Sequence, residues 1–301
     1  MPLLTTELVS EGQHIDARSM PEAADFLLDG QLAAIEAVRS AIPALSIGAE
    51  KMASAIRTGH SIHYAAAGSS GLMALADGSE LRGTFGIPTD RIHIHMAGGV
   101  PVDGYMPGDT EDDEEAVAQF AGKIATGDVV IVLTASGTTP FALEVARAAQ
   151  RNGAFVVGIA NNPGTPLLAI SDVPVCISTP SEVIAGSTRL GAGTAQKAAL
   201  NLMSTLMGIV LGHVYSGEMV NVIADNAKLV RRAVGIVTRI AGVSEDAAEA
   251  AITQTGGQVK SAILVATGCT PARASDLLMQ NGGHLGPCLA SLSSIQTNTS
   301  N

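Results

Sequence analysis

Apolar positions recur at intervals of three and four between residues 21 and 57, as in Ile35, Val38, Ile42 and Leu45, and predict helix there. The pattern then changes to short apolar runs at 62–67, 92–96, 129–134, 155–160 and 173–177. Each run ends at or near Gly, Ser, Thr, Asn or Pro, and most are separated by segments long enough for a helix. Strands that are apolar on both faces and alternate with helices predict an α/β fold with a parallel sheet covered on both sides. Ligands in such folds bind beyond the carboxyl ends of the strands, so the residues directly after each run carry the functional interest. Past Glu218 the helical pattern returns. Ser244 ahead of Glu245 and Asp246 marks one helix start, Thr270-Pro271 a second, and Gly256-Gly257 a stop. The expected organisation is a helical segment over 1–50, the sheet domain over 51–220, a small helical subdomain over 221–290 and a flexible Ser/Thr/Asn-rich tail over 291–301.

Composition narrows the function classes. The 301 residues are 47% hydrophobic and 15% charged, which excludes general disorder. The net charge of −11 removes any bulk electrostatic attraction to nucleic acid or anionic membrane. With no Trp and 3% aromatics, base-stacking and aromatic sugar platforms are poorly supplied. The opening Met1-Pro2-Leu3-Leu4-Thr5-Thr6-Glu7 lacks the basic flank and apolar core of a signal peptide. The apolar stretch 198–215 carries Asn201, Ser204, Thr205 and His213, so it reads as a buried helix rather than a membrane span. Three cysteines without metal-ligand spacing fit reduced thiols. A cytoplasmic, membrane-free protein is expected.

The first strand runs into Gly68-Ser69-Ser70-Gly71 and the third into Thr134-Ala135-Ser136-Gly137-Thr138-Thr139-Pro140. Glycine permits close backbone approach, and free amides at a helix start beside hydroxyls can hold an anion. Neither loop matches a nucleotide-binding pattern. One such loop alone is commonly just a turn; two on one predicted sheet point to a site. In the stretch Ser187 to Lys197, glycines and small residues place amides near a turn, with Arg189 and Lys197 adding positive charge. It reads either as an ordinary helix start or as the closure of the anion site. Two carboxylates stand out: Glu80 in the helix after the first loop, and Glu111 at the head of an acidic run that by pattern alone is a solvated face. His93 and His95 alternate on a strand, with His60 and His63 close in sequence. Two histidines are too few for a zinc site, and packing is the plainer reading.

Together, Gly68-Ser69-Ser70-Gly71, the Thr134 to Pro140 loop and the stretch Gly186 to Lys197 resemble N-acetylmuramic acid 6-phosphate etherases, members of the sugar isomerase (SIS) domain superfamily. The resemblance runs from about residue 5 to 289 and is most specific over 186–197. It includes Asn161-Asn162-Pro163-Gly164 and the segment Ala224-Asp225-Asn226-Ala227-Lys228-Leu229. It implies a five-stranded parallel SIS sheet flanked by helices, usually in a homodimer. The implied reaction converts N-acetylmuramic acid 6-phosphate and water to N-acetylglucosamine 6-phosphate and D-lactate. The family's acid falls on Glu80 in Ser79-Glu80. Its second glutamate falls on Glu111 in Glu111-Asp112, 31 residues further on. Ser136, Gly137, Thr138 and Thr139 are implied as the phosphate anchor, with Ser69, Ser70, Ser187, Arg189 and Lys197 as further contacts to a small 6-phosphosugar. No metal or organic cofactor is called for. The chain departs from the family at Leu72, where Arg is usual, and at Thr6-Glu7-Leu8-Val9-Ser10, which keeps half of a Thr-Glu-x-Arg-Asn pattern. A phosphosugar isomerase and a non-catalytic sugar-phosphate sensor stay open on the same fold.

Overall fold

The computed structural model describes residues 5–8 and 14–298. Two compact units divide them: one holds 5–79 and 90–206, the other 80–89 and 207–298. The boundaries therefore fall at 79/80, 89/90 and 206/207 rather than at the expected 50/51 and 220/221.

In the first unit, strands β1 (Ile62–Ala66), β2 (Ile92–Met96), β3 (Val129–Thr134), β4 (Phe155–Ala160) and β5 (Val173–Cys176) form one parallel sheet in the order β2-β1-β3-β4-β5. All residues of β1 and β3 are buried, which is why β3 reads as a continuous apolar run and β1 as one interrupted only by His63. The order reverses direction between β1 and β3, and at such a switch point the connections leave a crevice at the strand ends.

Helix α1 (Met20–Ala37) begins with a reciprocal capping box between Ser19 and Glu22. The single helix expected over 21–57 is interrupted by a 3-10 turn at Val38–Ala41, after which α2 (Ile42–Arg57) begins. The cause is Pro43, which has no N–H to donate and whose ring crowds the preceding turn. By length and composition 20–57 could cross a membrane. Here α2 buries Leu45, Ala49, Met52 and Ala53 and packs along β1, β3 and β5, so the N-terminal helices belong to the sheet unit. Leu28, Leu32, Ile35, Ile42 and Ile47 stay exposed along the two helices.

Four more helices belong to the sheet unit in whole or part: α3 (Gly68–Phe85), α4 (Ala118–Ala121), α5 (Pro140–Arg151) and α6 (Pro166–Ile170). The apolar stretch noted at 198–215 falls mostly in α7 (Gly191–Val210), whose Ala199, Leu200 and Met203 are fully buried.

The second unit contains a two-stranded ribbon, β6 (Val214–Tyr215) with β7 (Glu218–Met219), and five helices. These are α8 (Ala227–Ala241), α9 (Glu245–Gln254), α10 (Val259–Ala266), α11 (Pro271–Gln280) and α12 (Leu285–Asn298). Ser244 and Thr270 cap α9 and α11 with their side chains, as the sequence pattern predicts. Helix α12 continues to Asn298, so 291–298 is helical where a flexible tail was expected; 299–301 lie outside the described residues.

Candidate functional site

The loops after β1 and β3 lie side by side at the carboxyl edge of the sheet, because their strands are neighbours in register. With the N-terminal segment and the turn at 186–188 they enclose a cavity of about 290 Å³, lined by residues including Ser69, Ser70, Glu111, Ser136 and Thr139. Glycine is required where the walls approach one another. Gly68 has φ +52°, and a Cβ there would stand 2.5 Å from Glu111 Oε1. Gly137 has φ +74°, and a Cβ there would meet Thr165 Oγ1 at 2.2 Å.

The hydroxyls of the loop after β3 form a cluster. Thr134 Oγ1 lies 2.7 Å from Thr139 Oγ1 and 3.2 Å from Ser136 Oγ. Ser136 Oγ in turn accepts from the Thr138 amide and hydroxyl. Hydroxyls can turn their protons outward, and α3 and α5 begin here, so the floor of the cavity is rich in donors. Among the described residues no Lys or Arg lines this cavity, and Glu7 and Glu111 are its ionisable lining groups. Glu111 sits on a 3-10 turn, Asp109–Asp112, that packs against α5. Burial, followed by the neighbouring Asp112 carboxylate, pushes the Glu111 pKa up.

A buried anchor fixes α3 behind the site. Asp77 accepts from the Tyr64 hydroxyl at 2.8 Å, from Asn201 Nδ2 at 2.7 Å and from Ser204 Oγ at 2.9 Å. The second anchor is Asn162, whose Nδ2 donates to Ala135 O at 2.8 Å and whose Oδ1 accepts from the amide and hydroxyl of Thr5.

Of the residues singled out from sequence, the structure brings Ser69, Ser70, Glu111, Ser136 and Thr139 into the lining of one cavity. Gly137 and Thr138 shape the loop after β3 without lining the cavity. Ser187 is half-buried beside it while its neighbours Gly186 and Thr188 do the lining. Arg189 and Lys197 are exposed and outside the lining. The amides at the start of α7 do not face an anion site: Gly191 N and Ala192 N both donate at 2.8 Å to the buried Glu182 carboxylate. Glu80 is exposed on α3, twelve residues beyond Gly68, and is not among the cavity's lining residues. Sequence reasoning passed over Glu7, Thr134 and Thr188 as site residues, although the half-kept Thr6-Glu7 pattern was a signal for the first.

The histidines form a hydrogen-bonded stack. His63 Nε2 lies 3.1 Å from Asp128 Oδ2, and His63 Nδ1 lies 3.0 Å from His95 Nε2. An ionised Asp128 can only accept, so the His63 proton sits on Nε2 and Nδ1 accepts from His95. His93 stacks on His63 and Phe120 on His95. Burial, then the charge of His93, lowers the His63 pKa to about 4. Burial, then His63 and His93, lowers that of His95 to about 3. Among the described residues no group of three His, Cys, Asp or Glu is arranged to hold a metal ion. A second cavity, about 370 Å³, lies within the helical unit around Asn221, Gln258 and Lys260 and holds none of the sequence-predicted site residues.

A donor-rich crevice at the switch point of a five-stranded parallel sheet is the ligand site of a doubly wound α/β protein, and residues 31–161 match the SIS domain family. A solved Escherichia coli CFT073 protein shares the fold at a TM-score of 0.51 and 17% identity, over 66% of this chain and 94% of that one. Full-length relatives are more specific. The N-acetylmuramic acid 6-phosphate etherase of Deinococcus radiodurans is 42% identical over 86% of both chains. That of Symbiobacterium thermophilum is 37% identical over 87% of this chain and 88% of its own. The chain belongs to the N-acetylmuramic acid 6-phosphate etherase family.

Proposed function

We propose that the chain is a carbon–oxygen lyase cleaving the D-lactyl ether of N-acetylmuramic acid 6-phosphate, giving N-acetylglucosamine 6-phosphate and D-lactate. The observation that carries this reading, within the family, is the Glu111 carboxyl facing a hydroxyl-lined cavity at the β1/β3 switch point. An ether at C3 resists direct hydrolysis because an alkoxide leaves poorly. With the ring open, the C1 aldehyde acidifies the C2 proton. A base removes that proton, the C2–C3 double bond forms, and the C3–O bond breaks as an acid protonates the departing lactyl oxygen. Water then adds at C3, and a proton returns to C2. The aldehyde delocalises the charge, so the step asks for no metal or organic cofactor.

Glu111 is assigned as the base: its raised pKa strengthens it as a proton acceptor once ionised. Ser136 and Thr139 anchor the 6-phosphate, Thr138 supports them, and Ser69 and Ser70 hold sugar hydroxyls or the phosphate. The phosphate handle is remote from C2 and C3, and its binding energy orients the reacting carbons. Glu80 is assigned as the acid at the lactyl oxygen. Because it is exposed and outside the cavity wall, we assign it to a homodimer in which a second copy brings Glu80 to the substrate. The exposed Leu28, Leu32, Ile35 and Ile42 supply an apolar stripe for such pairing. The cytoplasm is the matching compartment, since the substrate is a phosphorylated sugar.

Lactate release from N-acetylmuramic acid 6-phosphate tests the reading. Glu111→Gln and Glu80→Gln are each expected to lower the rate about 10²- to 10⁴-fold. Wild-type protein that releases no lactate, or a glutamine variant as fast as wild type, overturns the reaction or the assignment respectively.

A further inference from the structure

The cavity contains a second carboxylate that the mechanism leaves unused. Glu7 lies on a 3-10 turn, Thr5–Glu7, that is tied to the sheet at several points. Asn162 Oδ1 accepts from Thr5 N at 2.8 Å and Thr5 Oγ1 at 2.7 Å, Asn162 Nδ2 donates to Thr6 Oγ1 at 3.2 Å, and Gly186 N donates to Thr6 O at 2.9 Å. Thr6 between them is fully buried. Asn162 also donates to Ala135 O, so one side chain joins the N-terminal turn to the phosphate loop. The turn is thereby a fixed wall of the cavity. A Cβ built on Gly186 would lie 3.2 Å from Glu7 Oε2, which places this carboxylate over the 186–188 turn, whereas Glu111 sits over Gly68. Among the described residues the Glu7 carboxylate has no hydrogen bond or ion pair.

We propose that Glu7 is a specificity residue that accepts a hydrogen bond from an O–H or N–H of the bound sugar and so sets the orientation of the ring in the cavity. An ionised carboxylate only accepts. A phosphoryl group and a lactyl carboxylate also only accept and carry negative charge, so neither can pair with it. The remaining partners on an amino-sugar phosphate are its hydroxyls and its amide N–H. The cavity thus presents hydroxyl and amide donors from the β1 and β3 loops, the Glu111 carboxyl over Gly68 and the Glu7 carboxylate on the N-terminal turn. Phosphate is drawn to the donors and repelled by carboxylate charge, which restricts the orientations open to the substrate. This rests on the etherase reading for the identity of the sugar, but not for its test.

The experiment compares wild type with Glu7→Gln and Glu7→Ala for binding of N-acetylglucosamine 6-phosphate and of inorganic phosphate by calorimetry. Lactate release is measured in parallel. Glu7 is exposed, so both variants are expected to fold. The sugar phosphate should bind about tenfold more weakly to each variant, the loss expected for one hydrogen bond to a charged acceptor. Inorganic phosphate should bind equally well or a few-fold more tightly, because a repelling charge has gone. Parallel weakening of both ligands would make Glu7 a structural support of the phosphate loop and overturn the proposal, as would unchanged sugar-phosphate binding. Wild-type protein that binds both ligands yet releases no lactate would remove the etherase reading while leaving this comparison intact.

Discussion

Acidification should unfold this protein through His63. The side chain is fully buried, its Nε2–H is committed to Asp128, and its Nδ1 already accepts from His95. A second proton on His63 would point an N–H at another N–H. The folded pKa of about 4 lies below the ordinary value of 6.5, so between those limits the unfolded chain binds a proton that the folded chain refuses. Stability is therefore full above pH 6.5 and is lost as pH falls toward 4. One proton corresponds to about 1.4 kcal/mol per pH unit, so the interval is worth about 3 kcal/mol for His63, a large share of an ordinary domain's stability. His95, lowered to about 3, acts in the same direction. The variant His63→Leu removes one titrating site. Asp128 retains the amides of Ser61 and Ala125, each at 2.8 Å, so its carboxylate stays paired. At pH 7 the variant should be less stable by about 1–2 kcal/mol for the lost hydrogen bond. Urea unfolding at pH 7, 6, 5 and 4.5 should show the wild type losing stability more steeply than His63→Leu, by about 1.4 kcal/mol per pH unit below pH 6. Identical slopes in the two proteins would refute the reasoning.

Two further outcomes follow from the geometry. Gly137→Ala should abolish phosphosugar binding and lower the melting temperature, since the new methyl would overlap Thr165 Oγ1 at 2.2 Å in a backbone conformation that disfavours side chains; wild-type binding in this variant would contradict it. Size-exclusion chromatography with light scattering should give a dimer for the wild type and a larger monomer fraction for Ile35→Glu, with lactate release falling in step if the partner supplies Glu80.

Much of the sheet unit was legible because strands buried on both faces leave continuous apolar runs. The limits of β3 and β4 fall where those runs do, and the sheet order places two Gly/Ser/Thr loops together as the topology rule requires. Glu111 could not be picked from its acidic run by periodicity, because what distinguishes it from Asp112 to Glu115 is contact with a glycine 43 residues earlier in the chain. Glu7 was hidden for the same reason: its place depends on Asn162, a partner more than 150 residues away. Arg189 and Lys197 drew notice as charges in an acidic chain, yet charge says nothing about direction, and both face outward. The break after α1 was written in Pro43 but outweighed by a strong helical period.

Glu182 has a practical meaning for inhibitor chemistry. It already occupies the positive end of α7, a few residues from the 186–188 turn that borders the cavity. With both of its oxygens bound to the Gly191 and Ala192 amides, Glu182 leaves that helix end no free donors for an anionic ligand. An inhibitor's negative group should therefore be placed toward the Ser136 loop.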